Sequence, residues 1–113
     1  MSAIADLAAR QLEAYNASNL DDFVACYHPD VRVFDGDDVS LEGLEQFRQR
    51  YQDLFRKWSF GATVPQRLTL NGHCIDYEEW WRVNPENGER TEGRIIVRYE
   101  LKDNLIGTVQ FLR

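Results

Sequence analysis

The run Tyr27-His-Pro-Asp-Val-Arg-Val-Phe-Asp35 ends an alternating apolar segment on an acid. Side chains of a strand alternate between its faces, so Val31, Val33 and Asp35 share one of them and a carboxylate is aimed where two valines point. Burial among apolar groups would disfavour its charged form and lift its pKa from about 4 toward the working range of a general base. The plain alternative is an aspartate capping the Gly36 turn from solvent. Gln11 shares a helix face with Leu7, Ala8 and Tyr15, so one amide turns toward the interior, where Tyr27 or Tyr51 could satisfy it. Tyr15, Tyr27, Tyr51, Phe55 and Trp58 read first as core, and in a fold with a pocket the same side chains would contact a ligand.

Other polar residues lack the spacing that chemistry requires. His28 and His73 have no neighbours at metal-ligand spacing, and Asp35, Asp37 and Asp38 lack the spaced acids and terminal glutamate of a calcium hand. Asp76, Glu78 and Arg82 alternate onto one strand face with Cys74 and Trp80, where an ion pair with Arg67 or Arg94 is the simplest account. There is no glycine-rich phosphate cradle and no serine-nucleophile motif. The expectation is a protein with neither metal nor cofactor.

These residues need elements to hold them. Ile4, Leu7, Ala8, Leu12 and Tyr15 recur at helical spacing from Ala3 to about Asn16, with Ser2 as cap. After Asn16-Ala17-Ser18-Asn19, Ser18 and Asp21 open a short helix with Leu20, Phe23, Val24 and Tyr27 as its stripe, closed by His28-Pro29. A strand runs from about Asp30 to Asp35, and Gly36-Asp37-Asp38 forms a polar loop. Gly43 opens a third helix whose stripe is Leu44, Phe47, Tyr51, Leu54, Phe55 and Trp58. The rest is β-rich: Val64 to Leu70, the Asn71-Gly72 hairpin, His73 to Val83, a looser turn through Gly88, Arg90 to Leu101, and Leu105 to Leu112. The order is α-α-β-α-β-β-β-β, an α+β architecture with helices covering one sheet face. Trp80 and Trp81 must point to opposite sides, as must Ile95 and Ile96. Large apolar groups on the uncovered side predict a two-fold homodimer through the outer sheet face.

The 113 residues fit one domain, 1–113, and the formal net charge of −6 argues against nucleic acid or an anionic membrane as partner. No apolar run approaches a membrane span and the amino terminus lacks signal-peptide layout, so the expected compartment is cytoplasmic. Cys26 and Cys74 are too few for a disulfide framework and read as reduced, buried side chains.

The helix-turn-helix leading into Tyr27–Asp35, the run Leu41-Glu-Gly-Leu-Glu-Gln46, and Lys102-Asp-Asn-Leu-Ile-Gly-Thr-Val-Gln-Phe111 together resemble the nuclear transport factor 2-like superfamily, in its SnoaL-like and ketosteroid-isomerase-like branch. The resemblance spans nearly the whole chain. It implies a cystatin-like conical α+β barrel, with three N-terminal helices packed on a curved, mostly antiparallel sheet around a pocket for a hydrophobic small molecule, and dimerisation through the outer face. It places Asp35 at the isomerases' proton-shuttling aspartate, and Tyr27 and Tyr51 at supporting tyrosines. Two positions depart from the pattern: Gln11 stands where the isomerases have an oxyanion-donating tyrosine, and Ile96 or Val97 where they have a protonated acid. Gln11 could donate its amide to a substrate carbonyl instead. The implied activity is that of a cofactor-independent isomerase, dehydratase or cyclase with Asp35 as base. Gln11, Tyr15, Tyr27, Tyr51, Phe55, Trp58 and Val97 would surround the substrate. A non-catalytic binding module on the same fold is the alternative. The epoxide-hydrolase branch is a second one, faintly echoed by Arg98 and Glu100.

Overall fold

The computed structural model describes residues 2–113. Ser2 accepts a hydrogen bond from the Ala5 amide and starts α1, Ala3–Asn16, which buries Ile4, Leu7, Ala8, Gln11 and Ala14. Its last residue has a use that the sequence reading missed. The Asn16 side chain donates to the Ala62 carbonyl at 2.9 Å and accepts from the Ala62 amide at 2.8 Å, so it mimics a paired strand residue and ties the helix to a sheet edge. The short α2, Leu20–Val24, is capped by Asn19, whose side chain accepts from the Asp22 amide. Ser18, expected as the cap, lies instead in the left-handed region at φ 55°.

Tyr27 does not continue α2; it opens β1, Tyr27–Asp35. Pro29 is tolerated there because the pairing of β1 is interrupted between Tyr27 and Arg32, where no ladder amide is demanded of it. The expected polar loop at residues 36–38 is the turn into an additional strand, β2, Asp38–Glu42, which pairs antiparallel with β1. Gly36, at φ 62°, makes that reversal. Gly43 then begins α3, Leu44–Lys57. The third helix therefore follows two strands, so the observed order is α-α-β-β-α-β-β-β-β and the three helices are not consecutive.

Four long strands complete the chain: β3 Ser59–Leu70, β4 His73–Val83, β5 Arg90–Lys102 and β6 Leu105–Leu112. They form an antiparallel meander, and β1 adds to β6 in parallel, giving one six-stranded sheet in the order β2-β1-β6-β5-β4-β3. β3 is an edge strand, and Pro65 falls where its register slips between Thr63 and Gln66. Trp80 and Trp81 point to opposite faces, and each lies across a glycine. A Cβ on Gly93 would stand 2.4 Å from the Trp80 ring, and one on Gly61 2.8 Å from that of Trp81.

Helices cover the inner face. Phe23 is the hub between them and the sheet, its ring 5.2 Å from Tyr27, 5.6 Å from Phe47, 5.0 Å from Tyr51 and 5.1 Å from Phe55. Such a cluster stabilises by area buried and by stacked, tilted and edge-on ring contacts of about 1 kcal/mol each. Of the α3 stripe only Phe47 is fully buried, because Tyr51 and Leu54 roof a cavity rather than a solid core. No described helix is long and apolar enough to cross a membrane.

Candidate active site

Alternation along β4 places Cys74, Asp76, Glu78, Trp80 and Arg82 on the inner face, opposite Tyr99, Val97, Ile95, Gly93 and Thr91 of β5. The row runs from a closed end to an open mouth. At the closed end Asp76 has no exposed surface and receives two parallel hydrogen bonds from Arg67, at 2.7 and 2.9 Å, with the Cys74 thiol at 3.3 Å. Arg67 is the partner proposed for this face; Arg94 instead reaches Tyr77. Burial, then the adjacent Asp76, pushes the Cys74 thiol up to about 12, so it is a packing group and not a nucleophile.

Two residues further along, Glu78 has no hydrogen-bonded or ion-paired partner among the described residues. It borders two spaces. One is an outer vestibule of about 410 Å³, lined by Tyr15, Tyr51, Leu54, Trp80, Ile95 and Phe111 together with Asp35, Ser40, Arg50, Arg82 and Arg113. The other is an inner chamber of about 60 Å³, lined by Gln11, Tyr27, Phe47, Tyr99 and Val109 among others, with Tyr15, Tyr51, Glu78, Arg82 and Phe111 common to both walls. The chamber is sized for about two waters, the vestibule for a small organic molecule. Burial first, and the nearby Asp76 second, raise the Glu78 carboxyl to about 7, while Arg82 opposes the rise. Glu78 is thus poised between acid and base near neutrality.

The chamber's polar end is a relay centred on Gln11. Its amide nitrogen donates to the Ala8 carbonyl at 3.1 Å and to the Tyr99 hydroxyl at 3.2 Å, while its oxygen accepts from the Tyr27 hydroxyl at 2.9 Å. The Ala8 carbonyl can only accept, which fixes the amide's orientation. Both amide hydrogens are therefore engaged within the protein, and Gln11 has none left for a substrate. The Tyr99 oxygen is occupied as an acceptor, so its own hydrogen is free to be donated into the chamber. Burial holds the Tyr27 and Tyr99 hydroxyls well above their ordinary pKa and Tyr51 at about 12, which keeps all three as neutral donors.

Asp35 ends β1 on the same face as Val31 and Val33 and lines the vestibule. The expected burial among apolar groups is not present: its side chain is 58% exposed and accepts a 3.2 Å hydrogen bond from Arg113. Among the other expected site residues, Gln11, Tyr15, Tyr27 and Tyr51 converge on the cavities. Phe55 packs in the aromatic cluster behind Tyr15 and faces a separate shallow groove between α2 and α3. Trp58 is half-buried just past α3 and borders neither cavity. Val97 is fully buried on the inner face opposite Asp76, while Ile96 points outward. Arg98 and Glu100 pair with each other on the outer face, away from the vestibule, so they do not form an epoxide-hydrolase-like arrangement in it. Sequence reasoning grouped Glu78 with a structural ion pair and missed Tyr99. Their signal was parity with Cys74 and Val97, which becomes usable only once the inner face is known. Among the described residues no three of His, Cys, Asp and Glu are grouped to hold a metal ion.

The SnoaL-like domain profile matches residues 8–108. The fold matches an uncharacterised cystatin-fold protein from Novosphingobium aromaticivorans, with TM-score 0.88, 22% identity, and coverage of 100% of this chain and 99% of that one. A Δ5-3-ketosteroid isomerase from Mycobacterium sp. superimposes with TM-score 0.89 at 13% identity over 100% and 94% of the two chains. A Mycobacterium tuberculosis protein in complex with estradiol-17β-hemisuccinate gives TM-score 0.88 at 13% identity over 100% and 95%. At these identities the structural likeness establishes the fold alone. Comparison with curated proteins by sequence finds no match.

Proposed function

Because the chain belongs to the SnoaL-like domain family, we propose that it is a cofactor-independent enzyme moving a proton on a hydrophobic small molecule, as an isomerase, dehydratase or cyclase does. The substrate carries an acidic C–H beside a carbonyl, or a hydroxyl one carbon further away. Asp35, at the vestibule wall, takes the proton from carbon. Glu78 and the Tyr99 hydroxyl face the carbonyl oxygen and donate to it as negative charge develops there. In an isomerisation the proton returns to a second carbon; in a dehydration it leaves with the hydroxyl as water.

The observation that carries this reading is Glu78: a carboxyl bordering both cavities, two residues from a buried acid that has a full partner, yet without one itself among the described residues. Its pKa of about 7 leaves a large protonated fraction at neutral pH, able to donate where an ordinary glutamate could not. The relay through Tyr27 and Gln11 fixes Tyr99 from behind, and Tyr15 and Tyr51 supply apolar and hydroxyl contact. Phe55 packs behind Tyr15, and Val97 lies buried opposite Asp76 at the closed end. The names of two structural neighbours, one an isomerase of ketosteroids and one holding a steroid ester, support a hydrophobic ligand. The outer sheet face, where Leu68 and Leu70 are each 72% exposed and Ile75, Ile96 and Leu112 stand out beside them, is the surface for a homodimer. Sedimentation giving a monomer at micromolar concentration would refute that assembly.

The test of the activity is a turnover screen over enolisable hydrophobic ketones and β-hydroxy carbonyl compounds, followed by Asp35→Asn and Glu78→Gln. Each variant is expected to lower kcat by about 10²-fold or more, the usual contribution of a positioned acid or base, with binding changed only a few-fold. Wild-type turnover in both variants would overturn the assignment. Tight ligand binding with no turnover of any compound would replace it with a non-catalytic binding module.

A further inference from the structure

The chain carries 19 acidic residues against 13 basic ones, yet three of its arginines, from three distant parts of the sequence, line the one vestibule. Arg50 comes from α3, Arg82 from β4, and Arg113 follows β6. Two carboxylates share that wall, and they do not neutralise the three. Asp35 is taken by Arg113 at 3.2 Å. Glu78 makes no ion pair among the described residues, and it is protonated over part of the neutral range. Among the described residues Arg50 reaches the Ser40 hydroxyl, at 3.3 Å, and no carboxylate. The Arg82 guanidinium sits 5.6 Å from the Trp80 ring centre, and the structure gives it no ion pair among the described residues. Two guanidinium groups therefore border the cavity without a carboxylate partner, in a protein whose overall charge would repel anions.

The same wall also carries large apolar side chains, Tyr51, Leu54, Trp80, Ile95 and Phe111. A cavity that combines aromatic and aliphatic side chains with unpaired guanidinium groups, and hydroxyls toward its inner end, fits one kind of molecule. We infer that the vestibule binds a hydrophobic anion: a planar or ring-containing apolar skeleton bearing a carboxylate, sulfonate or phosphate group that Arg50 and Arg82 hold at the mouth. Guanidinium forks suit such groups because they offer paired N–H donors and keep their charge at every physiological pH. The anion fixes the skeleton's direction, with its other end toward Glu78 and Tyr99. This inference rests on the pocket reading above and names the class of substrate that the pocket takes.

The test uses two fluorescent probes that differ by one group. 1-Anilinonaphthalene-8-sulfonate is the anion, and N-phenyl-1-naphthylamine is the same skeleton without the sulfonate. Titrated against the wild-type protein at low salt, the sulfonate is expected to bind at least tenfold more tightly and to weaken as salt is added. In the double variant Arg50→Met/Arg82→Met the sulfonate should lose about tenfold or more, while the neutral probe stays within about twofold. Both side chains are exposed, so the variant is expected to fold, and circular dichroism checks that it does. Equal affinities for the two probes in wild type, or sulfonate affinity unchanged in the double variant, would overturn the anion while leaving a neutral pocket intact. Binding of neither probe would overturn the pocket reading and this inference with it.

Discussion

Replacing Glu78 by glutamine removes a titrating group without removing its shape, and the consequence for stability depends on pH in a defined direction. In the folded protein Glu78 holds its proton up to about 7, against an ordinary value of 4.5. Between those values the folded state carries more protons than the unfolded one, so stability falls as pH rises. The contribution is fully present below 4.5 and lost as pH passes through about 7. The difference between those values corresponds to about 3 kcal/mol. Wild type and Glu78→Gln should therefore be nearly equal in stability at pH 4, where both side chains are neutral. At pH 8.5 the variant should be more stable by about 3 kcal/mol, because it escapes the burial of an unpartnered charge. Urea denaturation at a series of pH values reads this directly; with a slope of about 2 kcal/mol per molar, the midpoints would separate by about 1.5 M at the alkaline end. Groups not coupled to Glu78 cancel in the difference between the two proteins. A difference independent of pH, or one whose midpoint lies near 4.5, would refute the placement of Glu78 in a desolvated neck. Because Arg82 opposes the rise, Arg82→Met should move the midpoint upward.

Arg67→Met would leave Asp76, which has no exposed surface, with only the Cys74 thiol beside it; a loss of about 3–5 kcal/mol is expected in denaturation experiments. By contrast Arg113→Met breaks an exposed pair and should cost less than about 1 kcal/mol. Gln11→Leu removes the acceptor of Tyr27 and a donor to Tyr99, and stranding those hydroxyls is expected to cost about 2–4 kcal/mol by the same measurement. Gly93→Ala puts a methyl 2.4 Å from the Trp80 ring, so it should destabilise by about 1–3 kcal/mol and displace that indole, visible as altered tryptophan emission and weaker probe binding.

What could be read from sequence follows the range of the forces involved. β4 has the expected ends, His73 and Val83, because local turn chemistry closes it on both sides. β2 escaped because it is an edge strand with one buried side chain, Leu41, and so carries almost no periodic signal. The start of β3 at Ser59 was hidden by Gly61, whose reason is an indole on the neighbouring strand. The parallel pairing of β1 with β6 joins opposite ends of the chain, which no local pattern announces. Asp35 was placed correctly on its strand face. That face is not closed over its last residue, whose side chain is left 58% exposed, and exposure at a strand end is not written in local periodicity.

The two acids of β4 show how one strand face can hold both a fully paired carboxylate and one without a partner among the described residues. Asp76 and Glu78 point the same way, and either could have faced Arg67. The register between β3 and β4 sets Arg67 directly opposite Asp76, so the bidentate pair forms there and Glu78 is left one step toward the mouth with none. The paired acid still acts on its neighbour: Asp76 is the second cause of the rise in Glu78, after burial, and Arg82 on the other side restrains it. Charge placed two residues before and four after Glu78 along the same face thus sets its poise from both directions. A shift of one residue in that register would turn Arg67 to the other face, leave Asp76 buried without a partner, and remove the distinction on which the proposed chemistry depends.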